Sequence, residues 1–270
     1  MSATTTTHTL SVAGIGPVAL TSDERGEGRP FLLLHGGGGP QTVAGFATLL
    51  SGARPARVLT PIHPGFGGAP RPDTLHGVAG LAALYAALLD QRDLHDVTVV
   101  GNSMGGWIAA ELALLGSPRI SNVVLVGAVG IEVADHPVAD YFSLTMDQVA
   151  QLSFHDPAAF RVDPATLPPA AQAVMAGNRA ALAVYGGTSM TDPTLRGRLS
   201  AITVPTLVLW GDSDQIVDPT YGRAYAAAIP GARFQLLTAT GHVPQIETPD
   251  QLLRAVWDFA DTHAISRPTH

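Results

Sequence analysis

The chain of 270 residues is 46% hydrophobic and only 14% charged, which supports a sizeable buried core and argues against disorder. Its net charge of -7, with no cluster of Lys or Arg, makes nucleic acid and anionic membrane surfaces poor candidate partners. The lack of cysteine excludes disulfides, thiolate metal sites and a cysteine nucleophile.

The opening residues, M-S-A-T-T-T-T-H-T-L, have neither the basic nor the apolar region of a signal peptide, so none is expected. The most apolar helical stretch, 78–89, is too short to span a bilayer, and a soluble cytoplasmic protein is the simplest expectation. Residues 7–12 and 17–21 read as an antiparallel hairpin at a sheet edge, followed by a polar, turn-like 23–29. Residues 30–34 form an almost wholly apolar run, the mark of a strand buried on both faces, and end in His35 and a run of glycines at 36–39. Those glycines let the backbone approach a ligand and turn N–H groups towards it. They lack the following Gly-Lys-Ser/Thr of a phosphate-binding P-loop.

Residues 46–50 belong to a short helix, 57–60 to a strand, and 61–68 to a rigid Pro/Gly loop holding His63. A helix with a broad apolar face is expected over 74–91, then a strand over 97–100. Gly101-Asn102-Ser103-Met104-Gly105 follows, and an Ala/Leu-rich helix after it. This strand, tight turn and helix is the context a G-x-S-x-G motif requires, and it exposes the Ser103 hydroxyl beside free backbone N–H groups.

A further buried strand is expected over 123–127. From 131 to 198 the strand-like runs stop, and short helical pieces separated by prolines take their place, too long a stretch for a plain loop. Alternation resumes with a strand at 205–210 and a helix capped by Asp218 with Pro219 at its first position. The last strand is 233–237. Thr248-Pro249-Asp250-Gln251 fits a capping box for a final helix, and the tail 266–270 is expected to fray. The alternation implies a mostly parallel sheet with helices on both faces.

A serine hydroxyl needs an adjacent base, itself oriented by a third group. Cooperating groups in a parallel sheet belong in loops at one edge. The loop after 205–210 offers Asp212, Asp214 and Asp218, and the loop after the last strand offers His242, in the chain order Ser, Asp, His. The ten histidines show no metal-ligand spacing, so no metal site is expected.

H-G-G-G-G at 35–39, H-P-G-F-G at 63–67, G-N-S-M-G-G at 101–106, W-G-D-S-D at 210–214 and G-H-V-P at 241–244 together resemble the α/β-hydrolase superfamily. The resemblance implies an α/β-hydrolase fold, with about eight mostly parallel strands flanked by helices and a helical cap inserted after the sixth strand. The core would comprise 1–130 and 199–270, and the cap 131–198. It implies Ser103 as nucleophile, His242 as base and Asp214 as acid, with Asp212 the runner-up. The oxyanion would meet the N–H of Met104 and one from Gly37 or Gly38, with no metal or organic cofactor.

The elbow also resembles that of hydrolases cleaving carbon–carbon bonds in ring-opened aromatic dienoates. That likeness makes Asn102 and Arg179 candidate substrate contacts, although Val243 stands where those enzymes carry Trp, and Trp107 just after the elbow is a further candidate contact. The expected function is hydrolysis of a small, largely apolar carboxylic ester. Carbon–carbon hydrolysis is the closest alternative, perhydrolase or haloperoxidase-like chemistry a further one, and a slow-turnover ligand receptor the non-enzymatic one. The expected partner is a small-molecule substrate, and a homodimer is compatible with the sequence.

Overall fold

Polar/apolar alternation folds Thr4–Val12 (β1) and Gly16–Arg25 (β2) into an antiparallel hairpin, with β1 at the sheet edge. The computed structural model describes residues 2–263, so the tail expected to fray lies outside the described residues. Beyond the hairpin come β3 (Arg29–Leu34), α1 (Gln41–Ala53), β4 (Ala56–Pro61), α2 (Val78–Gln91), β5 (Val97–Asn102), α3 (Met104–Leu114) and β6 (Ile120–Val126). The next stretch holds α4 (Met146–Ser153), α5 (Pro157–Phe160), α6 (Pro169–Gly186) and α7 (Leu195–Arg198), with 3-10 turns at Pro164–Thr166 and Leu199–Ala201. The chain then forms β7 (Thr206–Gly211), α8 (Pro219–Ala227), β8 (Arg233–Leu237), α9 (Pro244–Glu247) and α10 (Pro249–Thr262).

The eight strands make one sheet in the order β1-β2-β4-β3-β5-β6-β7-β8, parallel from β4 onward. Because strand side chains alternate, each apolar strand feeds two cores. Leu32, Leu34, Val97, Val99, Val123 and Leu125 pack with α2 and α3 on one face. Phe31, Leu33, Val100, Val124 and Val126 pack with α1 and α10 on the other. This is why β3, β5 and β6 read as continuous apolar runs.

The chain moves from β3 outward to β4, then returns to lay β5 on the other side of β3. A crevice therefore opens beyond the carboxyl ends of β3 and β5, the usual ligand position in such sheets. The glycine loop leaves one strand there and Ser103 leaves the other.

Three local expectations are corrected. Residues 23–25 belong to β2 rather than to a turn, because their backbone pairs with β4 and Glu24 takes ion pairs from Arg57 and Arg92. Helix α2 starts at Val78 rather than 74, because Gly77 before it has φ 75. The capping box at Thr248 does not form. The Thr248 hydroxyl meets that of Thr240, and Gln251 Oε1 accepts from Thr238 instead of closing back on the helix.

Candidate active site

Ser103 sits between β5 and α3 with φ 58 and ψ -119, a backbone state that costs about 1–3 kcal/mol unless its surroundings enforce it. They do. A Cβ on Gly101 would lie 2.1 Å from the Gly105 carbonyl oxygen, and one on Gly105 would lie 2.2 Å from that of Leu34. The first collision is with the start of the helix. The second is with the end of the neighbouring strand β3, so the turn is wedged between its own helix and that strand. The Ser103 carbonyl accepts from Gly106 and Trp107, leaving the Met104 N–H among the unpaired donors of the first turn.

His242 and Asp214 arrive from the loops after β8 and β7. His242 Nδ1 lies 2.8 Å from Asp214 Oδ2, and the Asp214 side chain is fully buried. Asp214 Oδ1 accepts from the N–H groups of Ile216 and Val217, which fixes the carboxylate's rotation. With Nδ1 occupied, His242 has Nε2 left for the cavity that it lines together with Ser103. A Cβ on Gly127, just past β6 with φ 52, would come within 3.2 Å of His242 Nδ1, so a side chain there would strain the backbone and press on the pair.

Asp212 and Asp218 are engaged elsewhere. Asp212 accepts from Ser213, Ala239 and Thr240 and joins the two loops. Burial raises its pKa, but those bonds outweigh it and hold the carboxyl below the usual range. Asp218 caps α8 through the N–H groups of Thr220 and Tyr221.

The glycine loop is held by a fully buried pair of stacked imidazoles. His35 Nε2 accepts from the His63 N–H, so Nδ1 is its donor, given to the Gly36 carbonyl at 2.8 Å. His63 Nε2 donates to the His35 carbonyl, and its Nδ1 accepts from the Tyr85 hydroxyl. The Gly36 carbonyl also accepts from Gly39, and across a trans peptide this turns the Gly37 N–H the opposite way.

Burial pushes His35 down to about 4, and burial together with neighbouring His35 pushes His63 well below its usual value of 6.5. Unfolded histidines take up protons near pH 6.5 while these two stay neutral, so the unfolded state binds more protons below that pH. Stability is then present above pH 6.5 and lost as pH falls, by up to about 1.4 kcal/mol per pH unit for each histidine. Urea midpoints measured from pH 7 to 5 should fall steadily; a flat profile contradicts the neutral pair.

The cavity over Ser103 measures about 190 Å³ and is walled by Val129, Val138, Tyr141, Phe154, Leu182 and Ile216 among others. Its lining includes no Asp, Glu, Lys or Arg side chain among the described residues. The proposed substrate contacts fall in three different places. Asn102 borders the cavity but is committed to the frame: Nδ2 donates to the carbonyls of His242 and Val126, and Oδ1 accepts from Gln245. Trp107 is buried away from the cavity, against Gly130 and Gly186. Arg179 donates through Nη2 to the carbonyls of Tyr141, Phe142 and Leu144 and stacks on the first two rings.

Several residues of the frame were not singled out from the sequence. Asn178 on α6 donates to the Gly38 carbonyl and accepts from Gly67, tying the glycine loop to the stretch between β6 and β7. A polar residue on the buried face of α6 is the signal that could have found it. Glu247 accepts from Gly241, His155 and Asp156, and the Ser153 carbonyl takes the His242 N–H. The base loop is thus fastened to the α4–α5 junction.

A family model described as the alpha/beta hydrolase family matches residues 31–255. A 2-hydroxy-6-oxo-2,4-heptadienoate hydrolase from Pseudomonas putida is 28% identical, with 90% of this chain and 93% of that protein covered. An esterase from Thermogutta terrifontis superposes with a TM-score of 0.77 at 21% identity, covering 96% of this chain and 100% of the other. A meta-cleavage product hydrolase from Pseudomonas fluorescens superposes with a TM-score of 0.75 at 22% identity, covering 94% and 97%. The two superpositions show the fold alone.

Proposed function

The chain is a hydrolase of the alpha/beta hydrolase family, and from that premise we propose that it cleaves small, largely apolar carboxylic esters through Ser103. Ser103 Oγ attacks the carbonyl carbon while its proton passes to His242 Nε2. Asp214 holds the ring and stabilises the imidazolium. The oxyanion is met by the N–H groups of Met104 and Gly37, with Gly38 the alternative to the latter. Collapse breaks the carbon–oxygen bond, and His242 returns the proton to the leaving alkoxide. Water then attacks the acyl-enzyme with His242 as base, releasing the acid and restoring Ser103. The 131–198 segment acts as a cap, because Val138, Tyr141, Phe154 and Leu182 from it wall the cavity.

The observation that carries this reading is the cavity itself: Ser103 and His242, the latter paired with the buried Asp214, both line it beneath an apolar wall without a cationic side chain. Ring-opened dienoates carry a carboxylate, and Arg179, the residue placed to receive one by resemblance, is turned onto backbone carbonyls. The identity to the heptadienoate hydrolase keeps carbon–carbon hydrolysis as the second reading.

A panel of p-nitrophenyl esters with one ring-opened dienoate separates the two. We expect kcat/KM for p-nitrophenyl acetate or butyrate to exceed that for the dienoate by at least about 100-fold. Turnover of the dienoate alone favours the second reading, and loss of every ester after one turnover favours a receptor.

A further inference from the structure

A second cavity of about 250 Å³ lies beyond the glycine loop, lined by Met175, Ala176, Gln172 and Arg179. It shares Gly37, Gly38, Tyr141 and Met146 with the cavity over Ser103. The two spaces therefore meet along one short boundary, of which the glycines are backbone and Tyr141 and Met146 the side chains.

Tyr141 is not left to swing freely. The Arg179 guanidinium lies 4.8 Å from its ring centre and donates to its carbonyl at 3.0 Å, and to the Phe142 carbonyl at 2.7 Å. Arg179 rides on α6, whose Asn178 is bonded to the Gly38 carbonyl. The boundary is thus built from both sides by neighbouring residues of one helix. We propose that Tyr141, held by Arg179, is a specificity-determining partition: it confines the acyl group to the first cavity and shuts it out of the second.

The acyl end is the part concerned. The leaving oxygen must stay within reach of His242, and His242 lines only the first cavity. A chain extending past Gly37 and Gly38 would find apolar walls at Met146, Met175 and Ala176, which suit methylene groups. The inference rests on the ester reading and deepens it, because it predicts where chain-length selectivity is set.

The test is the ratio of kcat/KM for p-nitrophenyl octanoate to that for the acetate. In Tyr141→Ala, which truncates a half-buried side chain, the ratio should rise at least about tenfold, and in Arg179→Met it should rise in the same direction. Adding Met175→Trp to Tyr141→Ala should fill the second cavity and return the ratio towards wild type, while Met175→Trp alone, at a residue of the second cavity only, should keep acetate turnover within about twofold. An unchanged ratio in both single variants, with acetate turnover intact, overturns the partition alone. So does a raised ratio that Met175→Trp does not reverse. A wild type that cleaves no ester overturns the ester reading and this inference with it.

Discussion

Ser103→Ala is expected to lower kcat/KM for a good p-nitrophenyl ester by about 10⁶-fold, the scale seen when a nucleophile is removed from a unit that works only together. Removing the hydroxyl leaves no atom that can form the acyl-enzyme. What remains are the proposed oxyanion donors, the N–H groups of Met104 and Gly37, and the walls of the cavity, and these alone are expected to retain about 10³–10⁴-fold over water. The variant should fold normally. Alanine keeps the Cβ that the elbow already accommodates at φ 58, and none of the hydrogen bonds holding the turn uses the serine oxygen. An unchanged melting temperature with activity at background is the expected pair of results. Retention of more than about 1% of wild-type kcat/KM would place the nucleophile elsewhere.

Asp214→Asn is expected to reduce kcat by about 10⁴-fold with little change in KM, and the reason is a tautomer. The Ile216 and Val217 N–H groups hold one oxygen of residue 214, and that oxygen must remain an acceptor. An asparagine therefore turns its NH₂ towards His242 Nδ1, which must then accept, and the ring proton moves to Nε2. A ring protonated at Nε2 cannot take the proton from Ser103. Asp212→Asn is the informative comparison. That carboxylate joins the two loops through Ser213, Ala239 and Thr240 without touching His242, so its loss should cost stability and leave kcat within about tenfold. Equal losses in both variants would mean that the Asp214 contact only supports the loop.

The parts of the fold that the sequence displayed are those with a local cause. Apolar runs without alternation marked β3, β5, β6 and β7, because these strands are covered on both faces. The glycines around Ser103 marked the elbow, because a side chain at 101 or 105 meets backbone within a few residues or one strand away. The cap of α8 was legible for the same reason: Asp218 bonds residues next to it in the chain.

What could not be read were side chains whose partners lie far along the chain. Asn102 looked like a substrate contact, yet its amide is bound to the His242 carbonyl and to Gln245. Arg179 looked free to meet a carboxylate, until the fold laid the carbonyls of 141–144 against it. Thr248 and Gln251 had the spacing of a capping box, but the end of β8 supplied competing partners at Thr238 and Thr240. In each case a family likeness or a local pattern suggested one partner and the tertiary structure offered a better-placed one.

The proposed mechanism turns on Ser103 acting as a nucleophile activated by His242. The direct test is intact-mass measurement of the protein after reaction with a fluorophosphonate. This role predicts one phosphonyl adduct, mapped to Ser103 and absent from Ser103→Ala. A wild-type protein that stays unmodified, or an adduct that persists in Ser103→Ala, would contradict it.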